Sequence, residues 1–299
     1  MSAPEQLLVN RPAETITKTT ASNAAPKTIL VHIEDKSSCT QRLEHALSLA
    51  RAFSAHISCL HVTPLEGFTA FDSFGGIYVV PEILKAIEEG SAELQAAIEH
   101  KLRGEDVTWD YDDVRGNIGT GIVRRAALAD LVVTGSRPFH ADFAGATVGL
   151  LGDLMCRTRT PLFISPKGSA VCDPTGPALV AWDGSYEAAN SVRGTLGMLG
   201  EASSVHILQV EEEKQESFPG TRLLEFLSRH GIHAELTFES EPKMDRDLVP
   251  DMLVARAETV GASYLVMGGY SHSRTGEYLF GGVTRAMLKG APLPIVIAH

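Results

Sequence analysis

The feature that most constrains this chain is an alternation, run through twice, of short apolar segments with amphipathic ones. In the first run the apolar segments are KTILVHIED (27–35), His56 to Val62, Trp109 to Val114, Asp130 to Thr134 and Leu162 to Ser165. Each is too short for a helix and the right length for a buried strand. Between them, Leu43, Ala46, Leu47 and Ala50 repeat at helical spacing within 38–54. Pro81 opens a helix to about Arg103, at the first-turn position where proline is tolerated. Further helices are expected at Ile122 to Ala129 and Leu150 to Cys156. Strands alternating with helices imply parallel βαβ units.

A Pro- and Gly-rich break, PKGSAVCDPTGP (166–177), interrupts the pattern. The alternation then resumes. Strands are expected at Leu179 to Trp182, Ser204 to Val210, His233 to Glu239, Tyr264 to Met267 and Ile295 to Ala298. Helices are expected at Tyr186 to Leu199, Thr221 to His230 and Val249 to Val260. A last helix starts at Gly281-Gly282 and closes at Lys289-Gly290, a basic last turn followed by a stop glycine. LVVTGS (131–136) corresponds to LVMGGY (265–270), and PLFISP (161–166) to PIVIAH (294–299). This is an internal duplication of about 130–150 residues per copy, the size of one ordinary domain. The expected division is a disordered polar tail over 1–26, a first domain over 27–167, a linker over 168–177 and a second domain over 178–299.

Composition excludes several functions. A net charge of −11 argues against nucleic acid and against an anionic membrane surface. No run of 18 or more apolar residues suggests a transmembrane helix. The first 26 residues lack the apolar centre of a signal peptide. Cys39, Cys59, Cys156 and Cys172 are scattered and form no CxxC pair, which fits unpaired thiols in a reducing cytoplasm.

The stretch from Tyr264 to His299 carries the most chemistry. An apolar strand ends in Gly268 and Gly269, a polar loop follows, and the next helix begins with glycines. Glycine lets backbone approach a ligand closely, and the free N–H groups of a helix start attract anions. In open parallel sheets, ligands sit beyond the carboxyl ends of the strands. The competing reading is a tight strand-to-helix connection without a ligand.

The stretch resembles the C-terminal signature of the universal stress protein family, whose ATP-binding members carry Gly, two residues, Gly, nine residues, Gly, then Ser or Thr. Here the pattern falls on Gly268, Ser271, Gly281 and Gly282, so the second and last positions depart from it. The resemblance implies tandem doubly wound α/β domains, each a five-stranded parallel sheet of order 3-2-1-4-5, with the last strands available for pairing. It also implies ATP or another adenine nucleotide as ligand, with or without Mg2+. The positions carried over are Ala181, Asp183, Val210, Met267, Gly268, Ser271, Arg274, Gly281, Gly282, Val283 and Thr284. Asp183 would accept from a ribose hydroxyl or an adenine amine, or simply cap the next helix. Val210 would hold adenine through its backbone. Thr284 could supply the hydroxyl that Gly282 lacks, and Arg274 and Arg285 could supply charge.

In the first copy Glu34 stands for Asp183, Pro138 falls at the second glycine and Val148-Gly149 at the final pair. Proline removes an N–H, and Val148 places a Cβ where close backbone approach is wanted. The first copy is therefore expected to have lost the site or to bind differently.

Other motifs are weaker. His230 and His233 lack a carboxylate at ligand spacing. His272, Ser273 and Arg274 sit without a GxSxG elbow or a placed acid. Asp110, Asp112 and Asp113 read as the wet face of a strand. Phe68, Phe71 and Phe74 mark an insertion at 68–80 that could be a lid, a partner surface, a lipophilic pocket or a loop over its own domain. The expected function is a cytoplasmic, stress-related adenine-nucleotide binder acting in its second domain. Two alternatives stand beside it: a protein-interaction scaffold that binds no nucleotide, and a slow ATP-hydrolysing enzyme. No dedicated catalytic base is visible, and a homodimer of the tandem chain is left open.

Overall fold

A computed structural model describes residues 25–64, 69–71, 77–79, 81–136, 146–211, 218–240, 248–269 and 281–299. The first half runs β1 (Thr28–Ile33), α1 (Lys36–Phe53), β2 (His56–Thr63), β3 (Thr69–Phe71), β4 (Ile77–Val79), α2 (Pro81–Leu102), β5 (Trp109–Arg115), α3 (Ile118–Ala126), β6 (Leu131–Gly135), α4 (Ala146–Arg157) and β7 (Leu162–Ser165). The second runs β8 (Ala178–Trp182), α5 (Tyr186–Gly194), α6 (Leu196–Glu201), β9 (Val205–Glu211), α7 (Gly220–Arg229), β10 (Ala234–Ser240), α8 (Val249–Val260), β11 (Tyr264–Gly268), α9 (Gly282–Gly290) and β12 (Ile295–Ala298).

Ten strands form one sheet in the order β10-β9-β8-β11-β12-β7-β6-β1-β2-β5. Within each half the pairing is parallel and the order is 3-2-1-4-5. The halves join where β12 and β7 pair antiparallel, with Val296 opposite Phe163. Each half thus covers the other's last strand, which removes two exposed apolar edges. The joined strands and their neighbours β6 and β11 are buried almost throughout, as expected for parallel strands covered on both faces. The outer strand β5 alternates between exposed and half-buried residues. Two of its carboxylates are occupied there: Asp110 accepts from Ser58 Oγ at 2.7 Å and lies 3.0 Å from His56 Nε2, and Asp112 pairs with Arg125 at 3.0 Å.

Two apolar layers sandwich the sheet, and each draws on both halves. One contains Leu43, Leu47, Leu94, Ile98, Val192, Leu223 and Leu227 from α1, α2, α5 and α7. The other contains Ile122, Leu151, Leu154, Leu253, Met287 and Leu288 from α3, α4, α8 and α9.

Three local features differ from the sequence reading. The insertion at 68–80 contains a short antiparallel pair, β3 with β4, where a loop was expected. The single helix expected from Tyr186 to Leu199 is broken at Thr195. The Thr195 hydroxyl donates to the carbonyls of Ser191 (2.7 Å) and Val192 (3.2 Å), and such back-bonding competes with the helical ladder. The alignment of LVVTGS with LVMGGY is off by one. Gly135 pairs with Ser165 and Gly268 with Ala298, so the sheet register equates Gly135 with Gly268 rather than Gly269.

The connecting segment after β7 is fastened to α1. Gln41 Nε2 donates to the Ser169 carbonyl (2.6 Å), and Gly168 N–H donates to Gln41 Oε1 (2.8 Å). Ser48 Oγ donates to the Cys172 carbonyl (2.7 Å). Cys172 N–H donates to Nδ1 of the fully buried His45 (3.0 Å). The His45 proton is therefore on Nε2, which lies 3.3 Å from Ser169 Oγ.

Candidate functional site

Within the second half, β8 stands between β9 and β11, and the chain leaves β8 in one direction and returns on the other side. This switch point is where an open parallel sheet leaves a crevice beyond its carboxyl ends. Ala181, Val210 and Val283 pack, half-buried, on one apolar layer of the sheet, and Met267 is buried in that same layer. The fold therefore brings four of the carried-over positions onto one face, although they come from four separate elements.

Asp183 follows β8 and is exposed. Its Oδ1 accepts from the Ser185 amide at 2.9 Å, and Ser185 in turn caps α5 by accepting from the Ala188 amide at 3.1 Å. Gly184, at φ 74°, supplies the left-handed turn between them. The Asx-turn reading of Asp183 is thus realised. Asp183 Oδ2 has no partner among the described residues.

At the other side of the crevice, Gly281 is the N-cap of α9 with an extended backbone and no side-chain cap. A methyl on Gly282 would meet nothing within 4 Å. Among the described residues no side chain caps the first amides of α9, which is the arrangement that favours anions. Thr284 is buried on the inner face of α9 with Met287 and Leu288.

Gly268 has a packing reason to be glycine. A methyl there would lie 2.7 Å from the Ala188 amide nitrogen, because α5 rests directly on the end of β11. Ser271 and Arg274, with His272 and Ser273 beside them, lie outside the described residues.

An aromatic cluster that no motif announced stands at the same turn. Trp182 Nε1 donates to the Phe218 carbonyl (2.8 Å), and Phe218 N–H donates to the Gly184 carbonyl (3.1 Å). The Tyr186 ring meets Phe218 edge-on at 5.4 Å. These residues converge only through the fold, so no local spacing announced them.

The corresponding mouth of the first half is filled by its own charges. Arg42 donates to the His32 carbonyl (2.9 Å) and pairs with Glu34. His32 Nδ1 lies 3.6 Å from Glu34 Oε1. Burial, then the Arg42 and His61 charges, hold the His32 ring neutral, with its pKa lowered to about 3. Pro138 lies outside the described residues, and of Val148 only the helical backbone is described.

Elsewhere, His230 packs against the Phe226 ring at 4.7 Å. Among the described residues no group of three or more His, Cys, Asp or Glu is placed to hold a metal ion, and no helix is long and apolar enough to cross a membrane. Cys39, Cys59 and Cys172 are buried free thiols, the last two pushed up to about 12 mainly by burial, whereas Cys156 is exposed.

Residues 26–149 match the universal stress protein family. The match falls on the half whose glycine motif departs furthest, whereas the sharper sequence signature lies in the other half. No curated protein matches the chain in sequence. A universal stress protein from Archaeoglobus fulgidus DSM 4304 shares the fold with a TM-score of 0.70 at 16% identity, over 92% of this chain and 97% of that one. A functionally unknown protein from Pseudomonas aeruginosa PAO1 does so with a TM-score of 0.59 at 17% identity, over 92% of this chain and 93% of that one. Residues 26–149 are therefore similar to the universal stress protein family, and nearly the whole chain adopts an architecture found in a universal stress protein.

Proposed function

We propose that the protein is a tandem universal stress protein that binds an adenine nucleotide in its second half and uses binding to bias its conformation or its choice of protein partner. The observation that carries this reading is the crevice at the β8–β11 switch point. In support of it, Ala181, Val210, Met267 and Val283 share one apolar layer of the sheet, Asp183 is exposed just after β8, and α9 starts without a side-chain cap. Those three features fit a base, a ribose and a phosphate respectively. Any Mg2+ would be carried by the phosphates, as is usual for this ion. The carboxylate at the crevice, Asp183, is assigned to the nucleoside rather than to catalysis, so the reading is a binder rather than a fast hydrolase. The burial of three thiols suits a cytoplasmic setting.

The test is to purify the chain without added nucleotide, denature it and identify released small molecules by mass spectrometry, with Gly281→Val alongside. About one adenine nucleotide per chain, lost in the variant, is the expected result. If nothing is released and millimolar ATP gives no thermal shift, the nucleotide reading falls and the scaffold reading replaces it. Rapid ATP turnover would instead favour an enzyme.

A further inference from the structure

The carboxyl end of β11 is gripped from both sides of the sheet. Gly268 faces α5 of its own half, as described above. Gly269 faces the opposite layer. A methyl on Gly269 would lie 2.6 Å from Met155 Sδ, 3.2 Å from Met155 Cε and 3.0 Å from Ile297 Cγ1. Met155 belongs to α4 of the first half and is 2% exposed. Ile297 belongs to β12, the strand that pairs with β7 of the first half. A first-half thioether therefore forms one wall of the segment where the chain leaves β11 toward α9.

We infer that Met155 is a positioning residue for the nucleotide site of the second half, so that the site is completed by a side chain of the first half. The inference rests on the nucleotide reading of that site. Packed interiors do not deform smoothly, so a backbone lying flush against a side chain takes its position from that side chain. Two neighbouring residues are fixed here by different elements, Gly268 by the α5 backbone and Gly269 by the α4 thioether. Together they set the direction in which the chain departs from the sheet. In the described residues the chain next appears at Gly281, the uncapped start of α9. Methionine suits the task, because its unbranched, polarizable side chain conforms to an irregular surface. Helix α4 begins at Ala146 and reaches Gly269 near its other end, through Met155. A displacement of α4 is thereby carried to the second site. This gives a role to a half whose own carboxylate is already paired with Arg42.

The experiment uses the full chain with ATP as probe, read by calorimetry well below each variant's Tm. Four variants are compared with wild type: Met155→Leu, Met155→Ala, Gly269→Ala and the double Gly269→Ala/Met155→Ala. Gly269→Ala is expected to weaken ATP binding about tenfold and Met155→Ala about threefold, the range of couplings carried through packed contacts. The double variant should recover most of the loss, because the shortened side chain makes room for the new methyl. Met155→Leu, of similar volume, should bind like wild type. A purely structural role would lower Tm without this recovery of affinity. If the double variant shows the product of the two single losses, or if Met155→Ala binds like wild type, the inference is overturned. A wild-type chain that takes no ATP sinks the nucleotide reading instead. Amide exchange at Gly268 and Gly269 then decides the contact by itself: protection lost in Gly269→Ala and regained in the double supports it, and protection not regained overturns it.

Discussion

The same helix position is occupied by Arg42 in the first half and Ser191 in the second, eight residues after Glu34 and after Asp183 respectively. The consequences diverge. Arg42 reaches over the sheet, and Gly135 leaves space for it: a methyl there would lie 2.3 Å from the Arg42 Nη2. The guanidinium occupies Glu34, whose side chain is only 8% exposed. Ser191 is short, and its hydroxyl donates to the Ala298 carbonyl (3.1 Å) and accepts from the Ala298 amide (2.8 Å). With no long side chain between them, α5 settles onto Gly268, and Asp183 remains exposed, its Oδ2 without a partner among the described residues. One substitution of a long cation for a small hydroxyl thus separates a mouth sealed by an internal ion pair from a mouth with a carboxylate to offer. A duplicated fold can keep its scaffold in both copies while only one copy keeps a vacant acid.

The strongest way to break this comparison is to remove Arg42. Arg42→Ala leaves Glu34 buried and unpaired and should cost about 3–5 kcal/mol of stability. Asp183→Asn, at the equivalent exposed acid, should change stability by no more than about 0.5 kcal/mol while weakening nucleotide binding. Denaturant titration of both variants decides the matter, and equal costs would mean that the two acids are not differently committed. A smaller effect sharpens the role of the glycines. Gly268→Ala pushes a methyl into the α5 backbone and should cost about 1–3 kcal/mol. Gly282→Ala faces open space and should leave thermal stability within about 0.5 kcal/mol of wild type. A neutral Gly268→Ala would show that α5 has freedom to lift.

The smallest effect lies in mild acid. Burial lowers His45 to about 4 and, with its neighbouring charges, His32 to about 3, both below the unfolded value near 6.5. For His45, the nearby Glu44 carboxylate opposes that shift without reversing it. Above pH 6.5 both rings are neutral in either state and stability is independent of them. As pH falls below 6.5 the unfolded chain takes up protons that the folded chain refuses, so stability declines until the folded values are reached. The His45 share is under about 1 kcal/mol at pH 6. Denaturation midpoints between pH 7 and pH 5 should fall, and His45→Gln should make that fall shallower. An unchanged slope in the variant would mean that His45 is not buried neutral against the Cys172 amide.

The alternation of strand and helix was readable residue by residue, because periodicity and chain breaks are local properties. Leu43, Ala46, Leu47 and Ala50 announced the first helix, and the runs Asp130 to Thr134 and Tyr264 to Met267 announced buried strands. Their burial in the sheet followed. The glycines were legible as glycines but not in their reasons. Gly268 serves an approach by α5 and Gly269 an approach by Met155, and neither partner is near in sequence. Even the internal alignment slipped by one place, since consecutive glycines cannot fix a register that hydrogen bonds between strands fix directly.

By itself, then, the sequence determined the element types, since these depend on neighbours a few places apart, and its two runs of the same alternation showed the doubling. Only the tertiary structure decided that the two last strands pair with each other, that Arg42 seals one mouth and Ser191 leaves the other open, and that a methionine of the first half stands behind a glycine of the second. Those outcomes depend on which surfaces are pressed together when two five-stranded halves bury their edges in one sheet, and that is a property of packing over long chain separations.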